Sequence, residues 1–295
     1  MKKIKVAFLY DFDKTLCDRD MQEYSFIPNL GMTPQEFWGQ TGVIAEECGM
    51  ERILSYMYLM VKLSREKNIP LTKEYLNKCG EGIKLYKGVD TWFDRINKIG
   101  EELGIEIEHY VLSSGTTEII EGSYISKKFK KIYGCCFHYD ENGVADFPLN
   151  VVNYTTKTQY IYRISKGIFD ITDDVNLNSK MPQEKRHIQE GNMIYFGDGL
   201  TDVPCMKLVK QQGGKAIGIY QPGKLGKASD LLLDGRCDFL TKSDYSDGSE
   251  IEQIVRTVLE RISLEKRISN IKDILFCMVL NLNILQDKWL QMLKL

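Results

Sequence analysis

The 295-residue chain contains no C-x-x-C pair, and its eight cysteines are scattered, with Cys135 and Cys136 side by side. Such spacing builds neither a zinc site nor a disulfide framework, so a reducing, cytoplasmic setting is expected. Basic residues are not in excess: the formal net charge is -2. With no Lys/Arg stripe to neutralise a phosphate backbone, no nucleic-acid partner is expected. The three histidines, His109, His138 and His187, lack ligand spacing and read as structural or surface residues. Long apolar runs are missing too. The strongest, Ile274 to Leu285, is far shorter than the roughly 20 residues of a membrane-spanning helix. At the N-terminus the run after the first lysines stops at Tyr10 with no small-residue cleavage site behind it, so it reads as a strand and not as a leader. A soluble chain without a membrane partner is the expectation.

What is present is the balance of an ordinary globular protein, 43% hydrophobic and 27% charged residues, long enough for one large or two modest domains. Val6 to Tyr10 is a short continuous apolar run, the pattern of a central parallel strand covered on both faces, and it ends in Asp11 and Asp13. Thr33-Pro34-Gln35-Glu36 combines a capping box with proline at the first helical position. Helical patterns follow over Pro34 to Glu47, over Met50 to Lys67 and after Thr72. From Gly88 strands and helices alternate. Val89 to Leu103 reads as a helix, Ile107 to Leu112 as a strand ending in Ser113-Ser114-Gly115, and Thr117 to Phe129 as a helix. Ile132 to Tyr139 and Val144 to Leu149 read as a hairpin, Thr155 to Lys166 as a helix, and Met193 to Phe196 as a strand ending in Gly197-Asp198-Gly199. Ala216 to Tyr220 and Leu231 to Leu233 read as further strands. Alternation of this kind predicts an α/β fold with a Rossmann-like parallel sheet, and the helical block becomes an inserted cap. The expected division is a core of residues 1–16 and 88–262, a helical cap of 17–87 and a helical extension of 263–295.

In an open parallel sheet, ligands bind beyond the carboxyl ends of the strands. Asp11 and Asp13, Ser113 and Ser114, and Asp198 with Asp202 all fall at such ends. Converging carboxylates repel unless a cation neutralises them, and Mg²⁺ prefers a few carboxylate oxygens together with water and phosphate. Lys157, near a helix N-terminus, can add positive charge at the same point.

Asp11-Phe12-Asp13-Lys14-Thr15-Leu16, Ser113 after an apolar strand, Lys157 and Gly197-Asp198-Gly199-Leu200-Thr201-Asp202 resemble the four ordered motifs of the haloacid dehalogenase superfamily. The helical insertion between the first two resembles the phosphoserine-phosphatase-like subgroup. The resemblance implies a Mg²⁺-dependent phosphatase acting on a small-molecule phosphomonoester. Asp11 would be the nucleophile that forms an aspartyl-phosphate, and Asp13 the acid and base. Ser113 and Lys157 would stabilise the phosphoryl group. Asp11, the Asp13 carbonyl, Asp198 and Asp202 would hold the metal, and Ser114 and Gly115 would line the substrate. Relatives that dehalogenate lack an acid at the position of Asp13, so ester hydrolysis is favoured. A phosphotransferase using the same intermediate, and a non-catalytic phosphate- or Mg²⁺-binding module, are the alternatives.

Lys14 departs from the glycine common at that position, which leaves the substrate open. Asp20 falls where phosphoserine phosphatases place an acid for the substrate's amino group. Met21, Glu23, Tyr24, Arg52, Tyr56 and Arg65 are further residues expected to face the site, whereas Cys17 reads as a buried small side chain. The polar segment from Asp170 to Gly191, with Lys185-Arg186-His187, reads as a solvated surface excursion containing a helix. In the extension, Leu264, Ile268, Ile271, Leu275, Met278, Leu282, Leu285, Trp289 and Met292 alternate spacings of four and three, a heptad seam. Ile274, Val279, Leu280 and Ile284 add apolar groups off that seam. This helix either packs on its own domain or makes a homo-oligomer.

Overall fold

A computed structural model describes residues 3–292, with side chains to residue 279 apart from those of 227, 273 and 277. Strand β1 (Ile4–Tyr10) has its last five residues fully buried. The chain then leaves the sheet through a short helix, α1 (Phe26–Asn29), and three longer ones, α2 (Pro34–Cys48), α3 (Arg52–Glu66) and α4 (Lys73–Gly80). Thr33 and Glu36 close the expected capping box on α2, and Gly49, at φ 60°, ends that helix in the left-handed conformation. Where the chain returns, its two passes pair: Cys17 and Leu85 form an isolated bridge, and the Tyr86 N–H donates to the Leu16 carbonyl at 2.9 Å.

The remainder alternates. Helix α5 (Val89–Glu102) leads to β2 (Ile105–Thr116), then α6 (Thr117–Gly122), β3 (Lys131–Tyr139), β4 (Ala145–Asn150), α7 (Lys157–Lys166) and the short α8 (Asp174–Asn178). Strand β5 (Met193–Gly197), α9 (Val203–Gln211), β6 (Lys215–Tyr220), α10 (Leu225–Leu233), β7 (Phe239–Lys242) and α11 (Glu250–Met292) complete it. The seven-stranded sheet has the order β4-β3-β2-β1-β5-β6-β7, parallel throughout except for the β3–β4 hairpin. Chain order reverses at β1, which lies between β2 and β5, and this puts its carboxyl end at the switch point where such sheets bind ligands.

Aromatic packing anchors that central strand. Tyr10 stacks on Phe196 with ring centroids 4.7 Å apart. Its hydroxyl accepts from Trp92 Nε1 at 2.9 Å and lies 3.1 Å from His109 Nδ1, whose Nε2 faces Asn97 Oδ1 at 3.0 Å. An acceptor on the Nε2 side places a proton there, and burial, which pushes the pKa down to about 3, keeps the imidazole neutral, with Nδ1 free to accept from the Tyr10 hydroxyl. His109 is structural, as its sequence context implies.

Several elements differ from expectation. The helix expected to reach Phe129 stops at Gly122, with only a 3₁₀ turn at Ser126–Lys128 beyond it. The reason is close packing: a Cβ on Gly122 would lie 1.8 Å from the Asn77 carbonyl oxygen of α4, and one on Gly80 2.0 Å from that of Ile119. Leu231 to Leu233 belong to α10, with Leu231 buried and Leu233 exposed, and the last strand is β7. A three-residue apolar run does not separate a strand from one face of a helix.

The excursion between α7 and β5 is tied down and not merely solvated. Fully buried Arg163 donates to the Ile171 carbonyl at 2.9 Å and to Asp174 Oδ1 at 3.1 Å, and also to the Asp170 carbonyl. His187 pairs at 2.6 Å with Glu108, a buried carboxylate on β2 that also meets Lys5 and Lys130.

Helix α11, 43 residues and about 65 Å long at 1.5 Å per residue, is docked, among the described side chains, only at its start. Ile251, Val255, Val258, Leu259 and Ile262 are buried. From Leu264 to Val279 the apolar side chains of the seam and beside it are 46–66% exposed, so this stretch does not pack on the domain. Leu280, Leu282, Ile284, Leu285, Trp289 and Met292 lie outside the described side chains. No described helix is long and apolar enough to cross a membrane.

Candidate active site

Three strand ends and one helix start meet at the carboxyl edge of the sheet. The Asp11 N–H donates to the Phe196 carbonyl at 2.8 Å, which joins the tips of β1 and β5 and brings Asp11 beside the Gly197-Asp198 turn. Lys157, the first residue of α7 and 1% exposed, reaches in with its ammonium 2.8 Å from Asp11 Oδ1 and 2.9 Å from Asp202 Oδ1. Asp202 is fully buried. Its Oδ1 also accepts from the Tyr195 hydroxyl at 2.7 Å, and its Oδ2 from the N–H groups of Asp198 and Gly199 at 3.1 and 3.3 Å. Gly197 is required here, because a Cβ would sit 2.5 Å from the Asp202 carboxyl carbon.

One oxygen from each of Asp11, Asp198 and Asp202 lies within 4.8 Å of the others. Against these three acids Lys157 supplies one positive charge. Burial first, and then neighbouring acids, push Asp198 up to about 8. Asp11 is raised to about 7, again chiefly by burial, with Lys157 opposing and Asp202 adding to the rise. Buried oxygens that repel each other in this way are a donor set suited to a hard divalent cation. Asp202 has both oxygens occupied by protein donors, so Asp11 and Asp198 offer the freer ligands and Asp202 orients them.

Asp13 faces the other side of the same strand end. Its Oδ1 accepts from the Met21 N–H at 2.8 Å, and a Cβ on Gly115 would lie 3.0 Å from its Oδ2. Desolvation, and after it the charges of Asp20 and Asp11, hold its carboxyl well above the usual range, which favours the protonated form. Strand β2 shifts register against β3 between Leu112 and Thr116, an irregularity that re-aims side chains at Ser113, Ser114 and Gly115. Ser113 is buried and its Oγ accepts from the Gly115 N–H at 2.9 Å, leaving its own proton free to donate. Ser114 Oγ is buried without a partner among the described residues.

The helical insertion closes over this edge. Met21 is buried with its sulfur 3.2 Å from the Thr116 nitrogen, and a Cβ on Gly115 would strike its methyl carbon at 2.0 Å. Tyr56 of α3 donates to the Ser114 carbonyl at 2.8 Å. Glu23 accepts from Trp38 Nε1 and Tyr24 donates to Asp18. Arg65 lines cavities of about 580 and 400 Å³ beneath α3 and the β3–β4 hairpin, which none of the motif carboxylates borders. Cys17 is fully buried, as expected. Asp20 stands outside the cluster, with both oxygens on the Lys14 ammonium at 2.7 and 2.8 Å. Tyr195 has no sequence signal, being one apolar-patterned strand residue among several; only its contact with Asp202 reveals it.

No family model matches the chain. It is 24% identical over 286 residues to an uncharacterized protein of Borreliella burgdorferi, covering 88% of this chain and 97% of that one. Among solved structures it resembles a HAD family hydrolase from Salmonella enterica serovar Typhi, with a TM-score of 0.51 and 17% identity over 79% of this chain; it spans 66% of that one, just under two thirds. A phosphoserine phosphatase described as a phospho-aspartyl intermediate analogue matches with a TM-score of 0.54 and 16% identity, over 86% of this chain and 99% of that. A probable phosphoserine phosphatase from Vibrio cholerae gives 0.55 and 11%, over 89% and 67%. The chain therefore has the haloacid dehalogenase fold, in its phosphoserine-phosphatase-like form.

Proposed function

We propose that the protein is a Mg²⁺-dependent phosphatase of small phosphomonoesters. The observation that carries this reading is the pair at the end of β1. Asp11 is held by Lys157 at 2.8 Å, and Asp13, two residues on, is half-buried with its carboxyl held above the usual range, which favours the protonated form that a leaving-group acid needs. A carboxylate oxygen of Asp11 attacks phosphorus and the ester oxygen departs, taking the proton of Asp13. Asp13, now ionised, removes a proton from the water that attacks the aspartyl-phosphate, which releases phosphate and restores both acids. Ser113 donates to a phosphoryl oxygen, and Lys157 balances the charge that Asp11 and the phosphoryl group share. Asp11, the Asp13 carbonyl and Asp198 would hold Mg²⁺, with Asp202 behind them. The ion, when bound, offsets phosphoryl charge and holds the acids around it ionised.

Residues 17–87 act as a cap on a core of 1–16 and 88–262. Met21, Tyr56 and Ser114 exclude bulk water from the reacting groups. The fold shared with phosphoserine phosphatases supports the reading. The exposed seam of α11 supports a second proposal, that the extension from residue 263 joins two copies of the chain.

The test is phosphate release from a panel of phosphomonoesters with Mg²⁺ or EDTA. Release should need the metal, vanish in Asp11→Asn, and fall at least a hundredfold in Asp13→Asn. Release that persists in Asp11→Asn overturns the assignment of the nucleophile. Consumption of the ester only when a second alcohol is supplied would reassign the protein as a phosphotransferase.

A further inference from the structure

We propose that the substrate is a short phosphomonoester carrying a second anionic group, which is seated between Lys14 and Lys224. This rests on the phosphatase reading and specifies which esters the site selects. A cavity of about 150 Å³ opens beside Asp198, lined by Lys14, Tyr220, Gln221, Lys224 and Ala228. Its one acid, Asp198, belongs to the metal-binding cluster. Gln221 spends its amide nitrogen on the Asp18 carbonyl. Among the described side chains, the ionic groups left to meet a ligand there are the two lysines.

Lys14 is held for this task at a cost. Its φ of 59° is left-handed, a conformation unfavourable for a residue with a Cβ and nearly free for glycine. Strain of this sort persists where a side chain is needed. The Lys14 ammonium is fixed by both oxygens of Asp20, so Asp20 is not a free anion awaiting a substrate amine. An ammonium group could reach it only by displacing Lys14. The Lys14–Asp20 pair is neutral as a unit, and Lys224, exposed at the start of α10, makes no ion pair among the described residues. Among the described side chains, the side of the cavity away from the metal cluster is thus one positive charge in excess. A carboxylate or a second phosphate pairs with that charge, a hydroxyl leaves it unpaired, and an ammonium opposes it.

Size sets the second limit. A volume of about 150 Å³ equals about five waters at roughly 30 Å³ each, room for an acid group on a two- or three-carbon stem.

Two measurements test this separately from the chemistry. In the first, calorimetry compares binding of three phosphonates, whose carbon–phosphorus bond this chemistry does not cleave, to the wild-type protein with Mg²⁺: 3-phosphonopropionate, 3-hydroxypropylphosphonate and 3-aminopropylphosphonate. The carboxylate should bind at least tenfold more tightly than the alcohol, with the amine weakest. Lys224→Met should remove most of that preference, and Lys14→Met should reduce it as well. Equal affinities in the wild type, or a preference untouched by both variants, overturns the inference whether or not the protein is a phosphatase.

In the second, hydrolysis of phosphoglycolate, propane-1,3-diol bisphosphate, glycerol 2-phosphate and phosphoethanolamine is followed. The first two should have the higher kcat/KM, and their advantage over glycerol 2-phosphate should shrink in Lys224→Met mainly through KM. Which of the two leads identifies the second group as carboxylate or phosphate. Absence of all hydrolysis refutes the phosphatase reading and leaves the selectivity to be decided by the phosphonates.

Discussion

Replacing Lys157 by methionine tests the electrostatic design of the site. The side chains are similar in volume, so the change removes charge and leaves little cavity. It strands Asp11 and Asp202, which sit 2.8 and 2.9 Å from the lost ammonium and are 6% and 0% exposed, with an Asp198 oxygen within 4.8 Å. Removing one partner of a buried ion pair costs about 3–5 kcal/mol. Proton uptake limits that penalty. From an ordinary aspartate pKa of 3.8 to pH 7, neutralising one carboxyl costs about 4 kcal/mol at 1.36 kcal/mol per unit.

The two routes agree, so urea unfolding of Lys157→Met in EDTA at pH 7 should show a loss of about 4 kcal/mol with an unchanged m-value. A divalent cation replaces part of the missing charge, and a ligand at a hundred times its Kd contributes about 2.7 kcal/mol. Wild type binds the ion too, but the variant, with one positive charge fewer beside the same acids, should bind it more tightly and gain more from it. A fixed Mg²⁺ concentration should therefore narrow the gap to wild type while phosphate release stays lost. A deficit below about 1 kcal/mol in EDTA, or a gap that Mg²⁺ leaves unchanged, refutes the view that Lys157 offsets buried carboxylate charge.

Three other perturbations probe different parts of the molecule. Gly122→Ala forces a Cβ into the Asn77 carbonyl at 1.8 Å, so it should cost about 3 kcal/mol and increase proteolysis between β1 and β2; a loss under 1 kcal/mol would mean that α4 and α6 separate freely. Glu108→Gln should cost about 2 kcal/mol at pH 7, less than a fully enclosed pair because Lys130 is 38% exposed. Burial raises the Glu108 carboxyl, but hydrogen bonds from His187, Lys130, Lys5 and Tyr110 outweigh it and hold the group well below its usual range. Its stabilisation is present above the ordinary value of 4.5 and is lost as pH falls toward the folded-state pKa, so the gap between variant and wild type should close in acid; a gap independent of pH would exclude the ionic account. Finally, a chain ending at Ile262 should be monomeric by size-exclusion with light scattering where the full chain is not, and an unchanged oligomeric state would refute self-association through α11.

Much of this architecture is written locally. Val6 to Tyr10 is apolar without interruption because β1 is covered on both faces, and Thr33 and Glu36 mark a helix start because their side chains satisfy backbone donors within four residues. The motif aspartates are legible for the same reason, since each follows an apolar run whose end must lie at the edge of the sheet. Leu231 to Leu233 misleads because three apolar residues carry too little periodicity to separate a strand from a helix face. The end of α6 at Gly122 is set by a backbone 45 residues away, and no local pattern records it.

By itself, then, the sequence determines the parallel core, the helical insertion, the positions of Asp11, Asp13, Lys157, Asp198 and Asp202 at element ends, and that of Ser113 in the last residues of β2. These follow from periodicity and capping, which act over a few residues. Tertiary structure alone decides how those groups are charged and paired. Tyr195 and two backbone amides fill the lone pairs of Asp202, desolvation raises the Asp13 carboxyl, and Lys14 takes the carboxylate of Asp20. Solvent exclusion and hydrogen-bond partnership depend on which distant segments meet, and that information exists only once the chain has folded.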